Sequence, residues 1–458
     1  PFNGPYLTRC MASSELNNGH LLTPEADSAD AIPQQMAGLE PVQRVPAKVN
    51  PVATARSKKS QCARTMLSAC LLVSSAYFGA VFFHGACIPL AFLAPPVFSF
   101  LVSSFVHLWT KLVEVIFSGI LRVQVRQFGD AFVEPFSEPR TAGSSITLLN
   151  HRTRLDWIYI WCLGTFPHYV KIVLKAELGR LPGVGWAMQM ANFIFLKRKI
   201  ANDEKHMKDV VDYLLRLDGQ VHVLMFPEGT NLCPESIASS DSYARKMGRP
   251  LLRYTLHPRV TGFQHFVKNI GSRLSYVYDV TVAYPFAMPE NELSLFLGNA
   301  PQEVHYYVRR WPISSIIGRS AGDSCPNDES TATALGAWLN ERWLEKEQLL
   351  KEYYLKPPAE RQFPDEVVRE GALIDAPSHQ PWGPGAVLVL LFWILFSLFC
   401  ITLLCVSWPA RLFALAVNIF YIVVNVQTGI SEWVLQKANE VEKRKQLATA
   451  TAAVKKDD

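Results

Sequence analysis

The sequence predicts an α/β domain, a mainly parallel sheet flanked by helices, with transmembrane helices at both ends of the chain. Residues 143–355 carry an ordinary density of charge, and short apolar runs alternate there with helical patterns. This alternation is typical of parallel sheets that helices cover on both faces. Long apolar stretches without charge lie before and after this region, and about 20 apolar residues are enough to cross a bilayer.

The composition supports membrane segments and limits the class of ligand. Of the 458 residues, 49% are hydrophobic and only 19% are charged, with a formal net charge of +5. This small positive charge fits an anionic membrane surface or a phosphorylated ligand and gives no reason to expect nucleic acid. The nine cysteines show no spacing typical of a zinc site, so no metal is expected.

The N-terminal part of the chain divides into three segments of different character. Residues 1–60 are polar and show no hydrophobic period, so we predict a disordered tail. Residues 65–110 can hold two spans interrupted at Pro89 and Pro95, or one span and a half-buried hairpin. The amphipathic segment Lys111–Arg126 is predicted to lie on the membrane surface.

The domain itself is predicted over residues 111–355. Asn202 is the expected cap of a helix over 203–217, and a charged helix over 330–354 is expected to close the domain. Six apolar runs are predicted to be buried strands: Ile146–Leu149, Lys171–Leu174, Phe193–Leu196, Val221–Phe226, Val277–Ala283 and His305–Val308.

The C-terminal part is predicted to be a helical hairpin in the membrane, over 386–430. A linker, 356–384, precedes it, and a charged tail, 431–458, follows it. Basic residues cluster at 56–64 and again in that tail, and such clusters favour the cytosolic side of a membrane. With an even number of crossings at each end, the domain also faces the cytosol.

The first group of chemically useful residues is NHRTRLD, residues 150–156, directly after a predicted strand. His151 and Asp156 can meet only if His151 lies in the loop and Asp156 in the first helical turn. The carboxylate would then orient the imidazole as a general base. Alternatively, the spacing from Thr153 to Asp156 matches a capping box, in which Asp156 only stabilises the start of the helix.

Three further groups follow other strands or lie in constrained loops. In FPEGT, residues 226–230, Glu228, Gly229 and Thr230 could contact a substrate, or form an ordinary turn. Arg198, in the basic cluster 197–199, and Arg259, in the loop HPRVTGF at 257–263, are candidate phosphate ligands. A solvated run of charge is the alternative for the cluster.

Taken together and in this order, the four groups resemble the glycerophospholipid acyltransferase superfamily. The matching blocks are NHRTRLD (150–156), NFIFLKR (192–198), FPEGT (226–230) and HPRVTGF (257–263), and the resemblance covers about residues 110–355. The runs LKAELGRLPGVGWAMQ (174–189) and YDVTVAYP (278–285) are similar to the lysocardiolipin and lysophosphatidylinositol acyltransferase branch.

This resemblance implies an enzyme that takes acyl-CoA as co-substrate, needs no cofactor, and acylates a lysophospholipid in the bilayer. It implies catalytic roles for His151 and Asp156. It also implies a membrane location, for which we expect the endoplasmic reticulum. The binding residues that it implies are Asn150, Arg198, Glu228, Gly229, Thr230 and Arg259.

One position departs from the phosphatidate-forming relatives, which usually place Arg after FPEGT. Here that residue is Asn231. A phosphomonoester carries nearly two negative charges near neutral pH and a phosphodiester carries one, so losing a cation harms a monoester site more. We therefore expect a diester acceptor such as lysophosphatidylinositol, monolysocardiolipin or lysophosphatidylglycerol. A phosphatidate-forming enzyme, a CoA-independent transacylase and a non-catalytic membrane scaffold or transporter remain alternatives.

Overall fold

The computed structural model of the chain describes residues 55–132, 143–163, 166–167, 169–197, 200–289, 292–318, 329–364 and 383–457. Within these residues, seven strands form one sheet in the order β1-β7-β6-β2-β5-β3-β4. The strands are β1 (Gln124–Gly129), β2 (Ser144–Leu149), β3 (Lys171–Lys175), β4 (Ile194–Leu196), β5 (His222–Met225), β6 (Leu274–Ala283) and β7 (Glu303–Pro312).

The sheet is mixed but mostly parallel. Strands β2, β3, β4, β5 and β6 run in one direction, while β7 is antiparallel to β6 and β1 is parallel to β7. The carboxyl ends of the five parallel strands and the amino ends of β1 and β7 therefore share one edge of the sheet. Because β5 pairs directly with β2, the loops that carry 150–156 and 226–230 leave that edge side by side.

Helices cover the sheet and extend from both of its ends. Before the sheet lie α1 (Ala55–Phe78), α2 (Gly85–Cys87), α3 (Leu90–Leu93) and α4 (Pro95–Glu114), with π-helical segments at Gly79–His84 and Val115–Ile120. Within and after it lie α5 (Asp156–Tyr159), α6 (Val184–Met190), α7 (Ile200–Asp218), α8 (Pro234–Lys246), α9 (Val260–Ile270), α10 (Glu292–Phe296), α11 (Ile313–Ile317) and α12 (Glu329–Leu355). The chain then continues as α13 (Pro384–Val406), α14 (Trp408–Gln427) and α15 (Ile430–Asp457).

Four of the described helices are long and apolar enough to cross a membrane: Gln61–Cys87, Pro95–Ile120, Pro384–Val406 and Trp408–Gln427. The interruptions near Pro89 and Pro95 fall where the sequence predicts them. Helix α1 begins at Ala55, however, so residues 55–60 are helical although the tail was predicted to extend to residue 60. Residues 1–54 lie outside the described residues.

The membrane helices are bonded to each other and to the domain through polar groups. The indole of Trp393 donates to the Leu108 carbonyl (3.1 Å), and the Tyr421 hydroxyl donates to the Ala80 carbonyl (2.9 Å). Gln189, at the end of α6, holds the start of α15: its Oε1 accepts from the backbone N–H of Ile430 (2.9 Å). Such internal pairing is needed because lipid offers no partner for a polar group.

All six predicted strands are present, but two predictions near them are wrong. The segment 111–126 is not a surface helix, because the second span continues to Ile120 and the chain then enters β1 at Gln124. This edge strand is recognisable only through its pairing with β7, which is distant in sequence. Asn202 does not cap α7, which begins at Ile200; instead, the Asp203 carboxylate accepts from the Lys197 N–H (2.8 Å).

Candidate active site

The site centres on a contact between His151 and Asp156 at the carboxyl end of β2. His151 lies in the loop after the strand and Asp156 is the first residue of α5, the one arrangement that the spacing allows. Nδ1 of the imidazole lies 3.0 Å from Oδ2 of the carboxylate. Because a carboxylate only accepts hydrogen bonds, Nδ1 carries the proton and Nε2 is left with a lone pair.

Asp156 is held by a set of donors. Its side chain has no exposed surface, whereas that of His151 is 16% exposed. Oδ2 also accepts from the backbone N–H groups of Arg152 (2.7 Å) and Thr153 (3.0 Å), and Oδ1 accepts from the Tyr284 hydroxyl (2.5 Å). The carboxylate thus ties the loop backbone and the imidazole together. The alternative capping box does not form, because Leu155 precedes α5 as its cap residue and the Thr153 hydroxyl donates to the Pro289 carbonyl (2.7 Å).

The segment after β5, which carries the FPEGT motif, forms the second side of the site. The Phe226 ring stacks on the His151 imidazole, with centroids 4.2 Å apart and planes at 29°. The Leu232 N–H donates to the His151 carbonyl (2.8 Å), so this segment also fixes the loop backbone. Gly229 closes the turn, with its N–H donating to the Phe226 carbonyl (2.9 Å) and a φ of +73° that favours glycine. Thr230 is half-buried beside it.

The side chain of Asn150 joins β2 to β6. It is completely buried, and its side-chain amide forms two hydrogen bonds with the backbone of Val282 on β6, at 2.7 Å from the N–H and 3.2 Å to the carbonyl. Both polar atoms of the side chain are thus used within the sheet. The expectation that Asn150 contacts substrate is not supported by this placement; it fixes the position from which His151 starts.

Glu228 also points away from solvent. The residue is 4% exposed, and the Trp343 indole N–H on α12 donates to its Oε1 (3.1 Å). Burial raises the pKa of Glu228 to about 8, and the backbone N–H groups of His151 and Leu256 and the charge of Arg152 oppose that rise. The raised pKa favours the protonated carboxyl at neutral pH, and Oε1 faces Trp343 on α12. A contact between Glu228 and a substrate stays a prediction.

Of the two candidate phosphate ligands, the structure describes Arg259 but not Arg198. Arg259 is exposed, its N–H donates to the Pro227 carbonyl (2.8 Å), and its guanidinium packs against Gly229. It is therefore free to meet a ligand at the FPEGT turn. Arg198 lies outside the described residues. Its neighbour Lys197 follows β4 at the same edge of the sheet, where Nζ lies 3.5 Å from a carboxylate oxygen of Glu432.

Sequence reasoning missed the contribution of α12 to the site. Besides Trp343, this helix supplies Glu347, whose carboxylate accepts from the backbone N–H groups of residues 253–255 at 2.6 to 3.1 Å. It also supplies Lys346, which is completely buried and paired with Asp279 on β6 (2.6 Å). The sequence shows these residues only as part of a charged helix, because their partners are about 70 to 120 positions away.

An apolar cleft lies between the membrane helices and the domain, beside the 150–156 loop. Trp157, which follows Asp156 directly, lines it. Gly79 and Ala80 face it from the first span, Phe105 from the second and Trp393 from the third. This cleft has the lining and position expected for a hydrocarbon chain.

Comparison with known proteins agrees with the motifs. Residues 133–285 match the family described as Acyltransferase, and residues 294–393 match the family described as Acyltransferase C-terminus. The chain is 34% identical to lysocardiolipin acyltransferase 1 of Danio rerio, covering 78% of this chain and 91% of that protein. It is 37% identical to the Mus musculus protein of the same name, over 62% and 72% of the two chains. It is 36% identical to lysophosphatidylinositol acyltransferase 10 of Caenorhabditis elegans, over 56% and 63%.

The buried carboxyl of Glu228 predicts a pH-dependent stability. Between pH 4.5, the usual pKa, and about pH 8, the folded chain holds a proton that the unfolded chain has released, so the free energy of unfolding falls as pH rises. Glu228→Gln cannot titrate and removes this fall. The measurement is the melting temperature of purified wild type and variant at pH 6 and at pH 9. From pH 6 to pH 9 the variant should gain stability relative to wild type, by about a few kcal/mol at most.

The matched control is Glu360→Gln, at an exposed glutamate. Its difference from wild type should stay constant with pH. If Glu228→Gln behaves in the same way, Glu228 is ionised in the folded protein and its pKa is not raised.

Proposed function

The chain belongs to the glycerophospholipid acyltransferase superfamily, in its lysocardiolipin acyltransferase branch, and on this premise we propose that it transfers a fatty acyl group from acyl-CoA to the free hydroxyl of a lysophospholipid. It is an acyltransferase and a membrane protein. The observation that carries the proposal is the 3.0 Å contact between His151 and Asp156, beside an apolar cleft.

The proposed reaction needs one proton carrier and no covalent enzyme intermediate. Nε2 of His151 takes the proton of the acceptor hydroxyl while the hydroxyl oxygen attacks the thioester carbonyl. Asp156 keeps the proton on Nδ1 and stabilises the imidazolium that forms. The carbon–sulfur bond then breaks, the ester remains on the lipid, and the imidazolium gives its proton to the CoA thiolate.

Replacing the base tests this mechanism. His151→Ala should lower turnover by about 10²- to 10⁴-fold, the range that a general base contributes. The measurement is CoA release by purified protein supplied with acyl-CoA and a lysophospholipid. His265→Ala, a histidine on α9, is the control and should keep wild-type turnover. A His151→Ala protein that melts like wild type and turns over at a similar rate would exclude this mechanism.

For the acceptor, we propose a phosphodiester lysophospholipid, lysophosphatidylinositol or monolysocardiolipin. Asn231 brings no charge to the turn after Gly229, and Arg259 remains as an exposed cation there. One cation suits one negative charge better than two. The names of two relatives described above, a lysocardiolipin and a lysophosphatidylinositol acyltransferase, favour the same class. A phosphatidate-forming activity is the second candidate, since a relative at 31% identity carries the name probable 1-acyl-sn-glycerol-3-phosphate acyltransferase 5.

Acceptor kinetics distinguish the two candidates. We expect kcat/KM for lysophosphatidylinositol or monolysocardiolipin to exceed that for lysophosphatidate by about tenfold or more, which is 1.4 kcal/mol of discrimination. Asn231→Arg should narrow this ratio by supplying the missing cation. Lysophosphatidate as the best acceptor of the wild-type enzyme would contradict the diester proposal.

The apolar cleft is proposed to hold the acyl chain. A Cβ at Gly79 would lie 2.8 Å from the ring of Phe105, which lines the cleft, so the ring would have to move. The missing side chain at Gly79 thus leaves room for this ring at the cleft wall. The domain is proposed to face the cytosol, where CoA is soluble, and the endoplasmic reticulum is the proposed location.

Enlarging Gly79 tests the acyl-chain proposal. Gly79→Ala should reduce kcat/KM for long-chain acyl-CoA relative to short-chain acyl-CoA by about tenfold, because a pocket that loses a methylene loses about 1–3 kcal/mol. The control is Gly385→Ala, because nothing lies within 4 Å of a Cβ at that position. An unchanged chain-length profile in Gly79→Ala would place the acyl chain elsewhere.

A further inference from the structure

A second, small cleft lies where the two N-terminal spans meet the sheet. Two arginines, Arg64 and Arg122, line it together with a buried threonine, Thr65. The full lining is Gln61, Arg64, Thr65, Ile120, Leu121, Arg122 and Ala300. No carboxylate belongs to this lining, so the cleft carries uncompensated positive charge.

The depth of the cleft in the membrane follows from its lining. Gln61 is the first residue of the first candidate span, and Ile120 is the last residue of the second. The cleft therefore lies at the ends of two membrane helices, at the level of the lipid headgroups. Ile120, Leu121 and Ala300 give it apolar walls beside the two guanidinium groups. A site that is apolar on one side and cationic on the other matches an anionic lipid better than a free anion.

The backbone at Arg122 is unusual. Its φ is +58°, in the left-handed region that residues other than glycine rarely adopt and that costs free energy. The turn is fixed by hydrogen bonds from the Leu121 N–H to the Ile116 carbonyl and from the Val123 N–H to the Phe117 carbonyl, both 2.8 Å. The arginine is therefore held at one place, between the end of the second span and β1.

Neither arginine is needed to neutralise a neighbouring acid. Within the described part of the chain, Arg64 and Arg122 form no ion pair. Arg126, four residues further along on β1, differs, because its Nε pairs with Glu303 at 2.9 Å. The two cleft arginines thus remain available to phosphate oxygens, which the planar guanidinium binds in bidentate fashion.

The cleft shares an edge of the sheet with the catalytic loop. Arg122 precedes β1, whose amino end lies at the same edge as the carboxyl end of β2. β6 and β7 lie between these two strands, so the lateral separation of β1 and β2 is about 14 Å at 4.8 Å per strand. A lipid bound in the cleft therefore lies beside the 150–156 loop and does not occupy the position next to His151.

We propose that Arg64 and Arg122 form an accessory site for the phosphate of an anionic phospholipid in the leaflet that surrounds these two span ends. The bound lipid stabilises the junction between the first two spans and β1, and so holds the catalytic edge of the sheet at the headgroup level. The site does not depend on which acceptor is acylated, nor on catalysis itself.

The test measures the melting temperature of purified full-length protein in phosphatidylcholine bilayers with and without phosphatidylglycerol. Phosphatidylglycerol should raise the melting temperature of wild type. Arg64→Gln and Arg122→Asn should each remove at least half of that rise, and the double variant should remove it. Asn is chosen because it tolerates the left-handed conformation, and Arg122→Gly serves as a second variant that fits it without strain.

Controls separate this site from general surface charge and from the proposed reaction. Arg126→Gln removes the same charge from an exposed arginine outside the cleft and should keep the full rise. His151→Ala should also keep it, because binding needs no turnover. The proposal is overturned if the double variant keeps the rise, if Arg126→Gln loses as much as the cleft variants, or if inorganic phosphate reproduces the effect without lipid.

Discussion

The structure of the site depends on one buried carboxylate, that of Asp156. It is sealed from solvent, and it accepts hydrogen bonds from the His151 imidazole, two backbone N–H groups of the loop and the Tyr284 hydroxyl. An ionised carboxyl without such donors would cost several kcal/mol in the interior. With them, the carboxyl group is held beside the imidazole, and the same hydrogen bonds fix the loop backbone and the orientation of the imidazole.

Contacts from the segment after β5 and from α12 hold the 150–156 loop in place. The segment after β5 stacks Phe226 on the imidazole and hydrogen-bonds the His151 carbonyl through Leu232. Glu228, buried and protonated at neutral pH, joins this segment to Trp343 on α12. The FPEGT motif therefore contacts α12 on its buried side, through Glu228. On its solvent-facing side, Gly229 lies beside the exposed Arg259.

The membrane helices take part in the site as well as anchoring it. The first three spans and Trp157 together enclose the apolar cleft beside the catalytic loop, and Gln189 links the domain to the helix that follows the last span. The ends of the first two spans form the arginine cleft at the headgroup level on the same edge of the sheet.

The sequence predicts the α/β class, six of the seven described strands, the two C-terminal apolar helices and the approach of His151 to Asp156, because these depend on local periodicity, hydrophobicity and short spacing. It leaves open whether residues 65–110 contain one span or two. It could not show β1, the Tyr284 hydroxyl on Asp156, the inward orientation of Glu228, or the use of Asn150 as a backbone clamp. Each of these rests on partners more than 100 residues apart, and the direction in which a side chain points is decided by such non-local packing. Only the tertiary structure brings those partners together.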